Sequence, residues 1–477
     1  INQQDGTFRE EIEQWTSHLS EASMGADIAD VNNDGLPDIF TTEMLPGDEY
    51  RLKTNTLFKN YNSHNLEQQR GFYYQFSQNC LQINRQIPTQ GGGQKRAFVD
   101  IARYAGVDAT DWSWGALLFD MDGDGWRDIY VCNGIYKDVI DQDFIDFFAD
   151  EIIQKMALTG RKEQINEVLN KMPSQALLNK CFRNTGSSLR FDDVGKDWGF
   201  SQPSFSNGAA YGDLDNDGDL DMVVNNVNQE AFLYRNHSRE RKAHHYLSVR
   251  LEGKGLNSQA IGSKVTLLGG GLRQSAELQT ARGFQSSVDG RLVFGLGQSA
   301  RAEHLLVQWP DGLWTVLRDV PADTLLTLRW AEASTAPPPN LTEFFPHVAA
   351  STYFRGAACP FEPHREDDFV DFYPENLVYR MVSREGPKSA AGDVNGDGLE
   401  DVFLGGAAGQ PGQLWTQTRA GKWLRSERKT FDPDSLYEDT ALCLFDADGD
   451  RDLDLFVGAG GNAQPLSYAH IRSGEAS

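Results

Sequence analysis

Short apolar runs flank five acidic loops along the chain, and none of the runs is long. Before the loops stand residues 25–26, 115–119, 208–211 and 441–445; after them come 39–40, 129–131, 222–224, 402–404 and 455–457. Small and β-type residues in runs this short predict strand, turn, strand, with each acidic loop serving as a hairpin turn. The loops begin at residues 30, 120, 213, 393 and 446, the last two 53 residues apart. Setting aside interruptions at 43–77 and 137–178 brings the first two intervals to 55 and 51 residues. Two landmarks recur in phase with them. One is an apolar strand ending in Asn, at Leu57-Phe58-Lys-Asn60, Leu81-Gln-Ile83-Asn84, Phe182-Arg-Asn184 and Leu233-Tyr234-Arg-Asn236. The other is Phe98-Val-Asp100-Ile101, Phe191-Asp-Asp193-Val194 and, more weakly, Phe8 to Ile12. Four short strands per repeat describe a propeller blade, which cannot bury its faces alone and must stack on its neighbours.

Three segments break this period. In 137–178, Val139, Ile140, Phe144, Phe147, Phe148, Ile152, Ile153 and Met156 recur at near-helical spacing, punctuated by Gly160 and Pro173. That pattern predicts two or three helices packed on the rim, with Asp138, Asp141, Asp143, Asp146, Asp150 and Glu151 as a solvated face. Residues 243–330 alternate cleanly, as in Tyr246-Leu-Ser-Val249 and His304-Leu-Leu306-Val-Gln-Trp309, and predict a separate small β-sandwich or barrel with Trp309 in its core. Residues 331–349, with Pro337-Pro338-Pro339, read as a stiff linker. The expected organisation is therefore all-β: propeller blades over 1–242 and 350–477, with the β module between them.

The loops themselves carry the chemistry. Each reads Asp-x-Asp/Asn-x-Asp-x-x-x-Asp, which places side-chain oxygens at positions 1, 3, 5 and 9 and a carbonyl at position 7. The candidate ligand sets are Asp30, Asn32, Asp34, Leu36 and Asp38; Asp120, Asp122, Asp124, Trp126 and Asp128; and Asp213, Asp215, Asp217, Asp219 and Asp221. The last two sets are Asp393, Asn395, Asp397, Leu399 and Asp401; and Asp446, Asp448, Asp450, Asp452 and Asp454. A hard, large cation such as Ca²⁺ takes six to eight such oxygens, so up to five calcium ions are expected. An EF-hand starts similarly but needs a Glu at position 12, where this chain has Thr41, Val131, Val224, Leu404 and Val457. The fifth loop carries Arg451 where the others have Gly at position 6, which predicts the weakest site.

The formal charge of -25 argues against nucleic acid or an anionic membrane as the main partner. Eighteen carboxylates fall at ligand positions, so five bound calcium ions would return ten positive charges and link folding to the metal. Five cysteines without CxxC spacing read as buried free thiols in preference to a disulfide framework or a zinc site. No stretch is apolar enough to span a membrane. The chain opens inside a repeat, so a targeting segment is expected to have preceded it. Trp112-Ser-Trp114 reads as core packing ahead of sugar stacking, and His244-His245 as a strand entry. No HExxH, GxSxG, P-loop or dinucleotide fingerprint is present, so no catalytic residues are assigned.

The acidic repeats resemble the FG-GAP/VCBS calcium-binding repeats of integrin α-subunit propellers. Asn257, Ala260-Ile261-Gly262, Gly283, Phe294-Gly295-Leu296-Gly297 and Trp309-Pro310-Asp311-Gly312 are similar to the ASPIC/UnbV domain of the cartilage acidic protein family. Ser263 stands where that domain commonly has Ala. The inserts, from Glu43-Met44-Leu45-Pro46 to Cys80-Leu81-Gln82 and ending at Met172-Pro173-Ser174, resemble large repeat lipoproteins of the Bacteroidota. These resemblances imply an exported protein at the outer cell surface, held by a lipid anchor outside this sequence. They imply binding or adhesion toward a polysaccharide or protein. Two alternatives are a calcium-dependent polysaccharide lyase or hydrolase with its site in the propeller funnel, and an accessory subunit of an outer-membrane transporter docking through 137–178.

Overall fold

In a computed structural model of the chain, all five acidic loops close antiparallel hairpins in one register. The residue before position 1 pairs with the Asp at position 9: Ala29 with Asp38, Phe119 with Asp128, Gly212 with Asp221, Gly392 with Asp401 and Phe445 with Asp454. The structure describes all residues except 56–60, 89–93, 150–153, 155–156, 159–169, 335–356, 376–377, 379, 387, 427–429 and 461–477. The described residues are mostly β, with few and short helices.

Each hairpin seeds a small sheet. The first holds Ala26–Ala29, Asp38–Thr41, Cys80–Pro88 and Gln94–Asp100 in that spatial order. The second holds Ser113–Phe119, Asp128–Asn133, Lys180–Asn184 and Phe191–Asp193. The third has three strands, Ser206–Gly212, Asp221–Asn226 and Phe232–Tyr234. None of these sheets closes on itself among the described residues.

The first strand of each sheet packs beside that of the next, and glycines allow the approach. A Cβ at Gly25 would collide with the Trp114 carbonyl, and one at Gly115 would lie 2.9 Å from the Asn207 carbonyl. At Gly208 the neighbour is no longer a sheet of this kind; it is Ser286 and Phe284 of the β module, with Ser286 Oγ at 2.6 Å. Between the sheets lie two apolar layers. One joins Phe40, Leu81, Ile83, Leu118, Ile129 and Phe182; the other joins Phe119, Tyr130, Met222 and Val224.

Residues 245–329 form a two-layer β-sandwich. One sheet orders Leu292–Gly297, His245–Glu252 and Thr324–Arg329, the last two parallel; the other orders Leu272–Glu277, Lys264–Gly269, Arg301–Gln308 and Trp314–Pro321. Leu247, Val249, Val265, Leu267, Phe294, Leu305 and Val307 interdigitate around Trp309, which is 1 % exposed and donates its indole N–H to Thr315 Oγ1. His245 opens a strand. The sandwich and the three sheets belong to one compact unit, Ile1–Val348. Ala349–Ser477 forms a second unit. It contains a four-stranded sheet of Ser389–Gly392, Asp401–Leu404, Gln413–Gln417 and Trp423–Arg425, together with the hairpin Glu438–Phe445/Asp454–Gly460.

The inserts depart from the sequence pattern in two ways. Within 137–178 a π-helical turn, Phe144–Ala149, buries Phe144, while residues 150–153, 155–156 and 159–169 lie outside the described residues. Asp138 is not on a solvated face. It is buried, and accepts from Arg51 Nη1 at 3.3 Å and from Asn55 Nδ2. Arg51 lies on a helix of the other insert, Glu49–Asn55, and also binds Asp111. The two interruptions are thus joined by one buried ion-pair network. Residues 335–349 of the Pro-rich segment and the whole Leu57 to Asn60 landmark lie outside the described residues.

Candidate metal loops and an adjoining cavity

Position 1 of each loop organises its backbone. Asp120 Oδ1 accepts from Gly123 N and Asp124 N, and its Oδ2 from Gly125 N at 2.8 Å; Asp30, Asp393 and Asp446 make matching bonds. Position 5 accepts from the position-7 N–H, as Asp34 does from Leu36 N and Asp124 from Trp126 N. Position 9 ties the hairpin together. Asp128 Oδ2 accepts from Met121 N at 2.9 Å and Oδ1 from Asn184 N at 2.8 Å; Asp38, Asp221 and Asp401 repeat both bonds.

The Asn ending the third strand then reaches into the neighbouring sheet. Asn184 Nδ2 donates to the Val31 carbonyl of the first loop at 2.9 Å, and Asn236 Nδ2 to the Met121 carbonyl of the second at 2.8 Å. Asn184 and Asn236 thus couple one loop to the next, whereas Asn84 donates to the Pro37 carbonyl of its own loop. Two backbone positions in each loop are left-handed. Position 4, always Asn or Gly, has φ from 57° to 83°, and position 6 from 80° to 95°.

The first three loops lie against the sandwich. Gly297 N donates to the Gly123 carbonyl, Arg127 Nη2 to the Ser275 carbonyl at 3.2 Å, and Arg291 Nη1 to Asn216 Oδ1 at 2.8 Å. Gly35 has no room for a Cβ beside Arg273, nor Gly218 beside Tyr246. Burial pushes Asp30 up to about 6 and Asp38 and Asp120 up to about 7, and raises Asp128 well above the carboxylate range. Loops four and five are largely exposed, and hydrogen bonds from Gly398 and Asp397 hold Asp393 below its usual value.

The oxygen sets suit a divalent cation. Carboxylate oxygens of Asp120, Asp122 and Asp128 converge within 4.8 Å, as do those of Asp213, Asp215 and Asp217 and those of Asp446, Asp448 and Asp454. Asp122 Oδ1 and Asp213 Oδ1 are buried and accept no hydrogen bond, which is costly for a carboxylate unless a cation lies beside it. In loops one and four, Asn32 and Asn395 supply the third oxygen. Basic side chains that the sequence reading did not assign also approach: Arg183 Nε lies 2.9 Å from Asp122, Lys242 binds the same carboxylate, and Arg235 lies 2.7 Å from Asp215.

A cavity of about 530 Å³ opens between the first strands of the sheets and the sandwich. Phe119 and Tyr211, stacked at 4.4 Å, line it with Ile28 and Val265, and Arg127, Arg282, Arg291 and Lys264 share its wall with Asp27, Asp30 and Glu277. Arg282 is buried and pairs with buried Asp27 at 2.7 Å. Trp112 is buried, and Trp114 packs on Phe284 at 5.0 Å, so both serve packing.

Residues 253–335 match the family model "ASPIC and UnbV", and residues 393–457 match "FG-GAP-like repeat". The chain carries an ASPIC/UnbV domain and an FG-GAP-like repeat. The ASPIC/UnbV match covers most of the sandwich, and the FG-GAP match spans the fourth and fifth acidic loops. FG-GAP repeats suggest a β-propeller and an extracellular or surface protein, and the pair of domains suggests adhesion or ligand binding in general. No curated protein matches the chain. Among the described residues, no helix is long and apolar enough to cross a membrane.

Proposed function

We propose that this protein is a calcium-stabilised cell-surface scaffold that binds an acidic polysaccharide in the cavity between the sheets of its first three acidic loops and its ASPIC/UnbV sandwich. The observation carrying the calcium assignment is the pair of buried, unpartnered oxygens on Asp122 and Asp213. A metal there neutralises like charges that burial otherwise penalises, and its ligands all come from one short loop, which suits a structural ion. The first three loops abut the sandwich, so metal in them rigidifies the cavity wall. Stacked rings beside guanidinium groups suit the apolar face and carboxylate of an acidic sugar.

Cleavage of the bound chain would need a free base. Of the two buried carboxylates lining the cavity, Asp27 accepts from Arg282, Leu118 N and Ile28 N, an arrangement that joins strands, and Asp30 accepts from Asp34 N and Gly35 N within its own loop. Binding is therefore the favoured reading. A glycan array in calcium and in chelator tests it, followed by titration of the best hit into Lys264→Ala. Acidic glycans should bind in calcium only, and more weakly to the variant. Equal binding in chelator, or indifference to the variant, would sink the proposal.

A further inference from the structure

We propose that His18, Cys80 and Asp100 form a zinc site in the first sheet, distinct from the acidic loops. His18 Nε2 lies 2.9 Å from Asp100 Oδ2, and one ligand atom from each of the three residues falls within 4.8 Å of the others. The set combines imidazole, thiolate and carboxylate, which favours zinc over the calcium expected of an all-oxygen loop. Three non-contiguous segments supply it, so no spacing in the sequence announces it. His18 precedes the short strand Leu19–Ser20, Cys80 opens the third strand, and Asp100 closes the fourth.

The surroundings already orient the ligands. Asp100 Oδ1 accepts from Leu81 N at 2.8 Å and Ala102 N at 3.0 Å, which aims Oδ2 at the imidazole. The His18 ring stands edge-on to Phe76 at 5.4 Å, with Nδ1 3.2 Å from Ser17 Oγ. Such outer partners are how proteins set a ligating histidine's tautomer. Ser20 Oγ donates to Cys80 Sγ at 3.3 Å. The Cys80 and Asp100 side chains are almost wholly buried, while His18 keeps 20 % of its side chain exposed, leaving a fourth position for water.

The second sheet offers an internal comparison. There Lys180 occupies the position of Cys80, and its ammonium pairs with Asp193, the counterpart of Asp100, at 2.7 Å. One sheet meets this acidic position with an organic cation; the other surrounds it with soft and borderline metal ligands. Binding balances simply. Zinc displaces the thiol proton to solvent and takes Nε2 of the neutral Nδ1–H tautomer, which keeps its proton and donates a hydrogen bond to Ser17 Oγ. Zn²⁺ with one thiolate and one carboxylate leaves a neutral buried centre.

The test uses the full chain with exposed Cys359 and Cys443 changed to Ser, calcium kept saturating, and other metals stripped. Cobalt(II) should bind at one equivalent with a thiolate-to-metal charge-transfer band that Cys80→Ala abolishes. His18→Gln should weaken zinc by more than about tenfold. X-ray absorption of the unaltered site should show one sulfur at about 2.3 Å and nitrogen or oxygen at about 2.0 to 2.1 Å. This last measurement stands even where a variant fails to fold. Absence of the band, an all-oxygen shell, or equal zinc binding by Cys80→Ala overturns the proposal.

Discussion

Arg451 adopts φ 80°, where Gly35, Gly125, Gly218 and Gly398 adopt 83° to 95°. A Cβ in the left-handed region costs on the order of 1 kcal/mol, and the side chain adds positive charge near the fifth loop. Arg451→Gly should therefore stabilise the calcium-loaded protein by about 1 kcal/mol and tighten calcium there, read by denaturant melts and calorimetric titration. In the parent chain Asp450→Ala should lose less bound calcium than Asp124→Ala; equal losses would contradict a weak fifth site. The buried ligands also make a pH prediction. Asp30 is raised to about 6 and Asp38 and Asp120 to about 7, so without metal the fold holds protons that the unfolded chain has released. Their contribution is complete below the ordinary value of 3.8 and is lost as pH rises through about 7. On the proposed calcium assignment, the metal competes with those protons. The rise in melting temperature on adding calcium should thus grow between about pH 5 and pH 8, while these groups make the chelated protein less stable over the same range.

At the scale of elements, the hairpin was legible because its oxygens, turn residues and flanking apolar runs are contiguous. The reason for the recurring Asn was not. Only the placement of neighbouring strands shows Asn184 and Asn236 donating to carbonyls of the preceding loop. Asn184→Ala leaves the buried Val31 carbonyl without this donor and should cost about 1 to 3 kcal/mol in a denaturant melt. The helical reading of 137–178 met a different limit. Apolar spacing there was read as a rim-packed amphipathic face, yet Asp138 is drawn inward by Arg51, a partner 87 residues away. Sequence spacing carries no information about such a pair.

Across the first compact unit, the sandwich is as much a part of the loop environment as the loops are. Its hairpin brings Gly283 to Ala26 and Ser286 to Gly208, and Arg282 reaches buried Asp27. Arg282→Ala strands a buried carboxylate and should destabilise this unit by about 3 to 5 kcal/mol. Asp27→Asn in the same background should restore part of that loss, because the uncompensated charge is gone; a double-mutant cycle without such coupling would show that the pair does not join sandwich to sheets.

The five loops, the spacing of their side-chain oxygens, the β character of the repeats and the alternating strands of the ASPIC/UnbV module could all be read along the chain. Each depends on residues close together in sequence, where spacing alone sets which atoms meet. Tertiary structure decided what surrounds them. It packed three loops against the sandwich and left two largely exposed, opened a cavity lined by rings from two sheets, and brought His18, Cys80 and Asp100 together. Those outcomes rest on contacts between residues tens to hundreds of positions apart. Burial and charge pairing are set there by how sheets pack, and no local pattern encodes them.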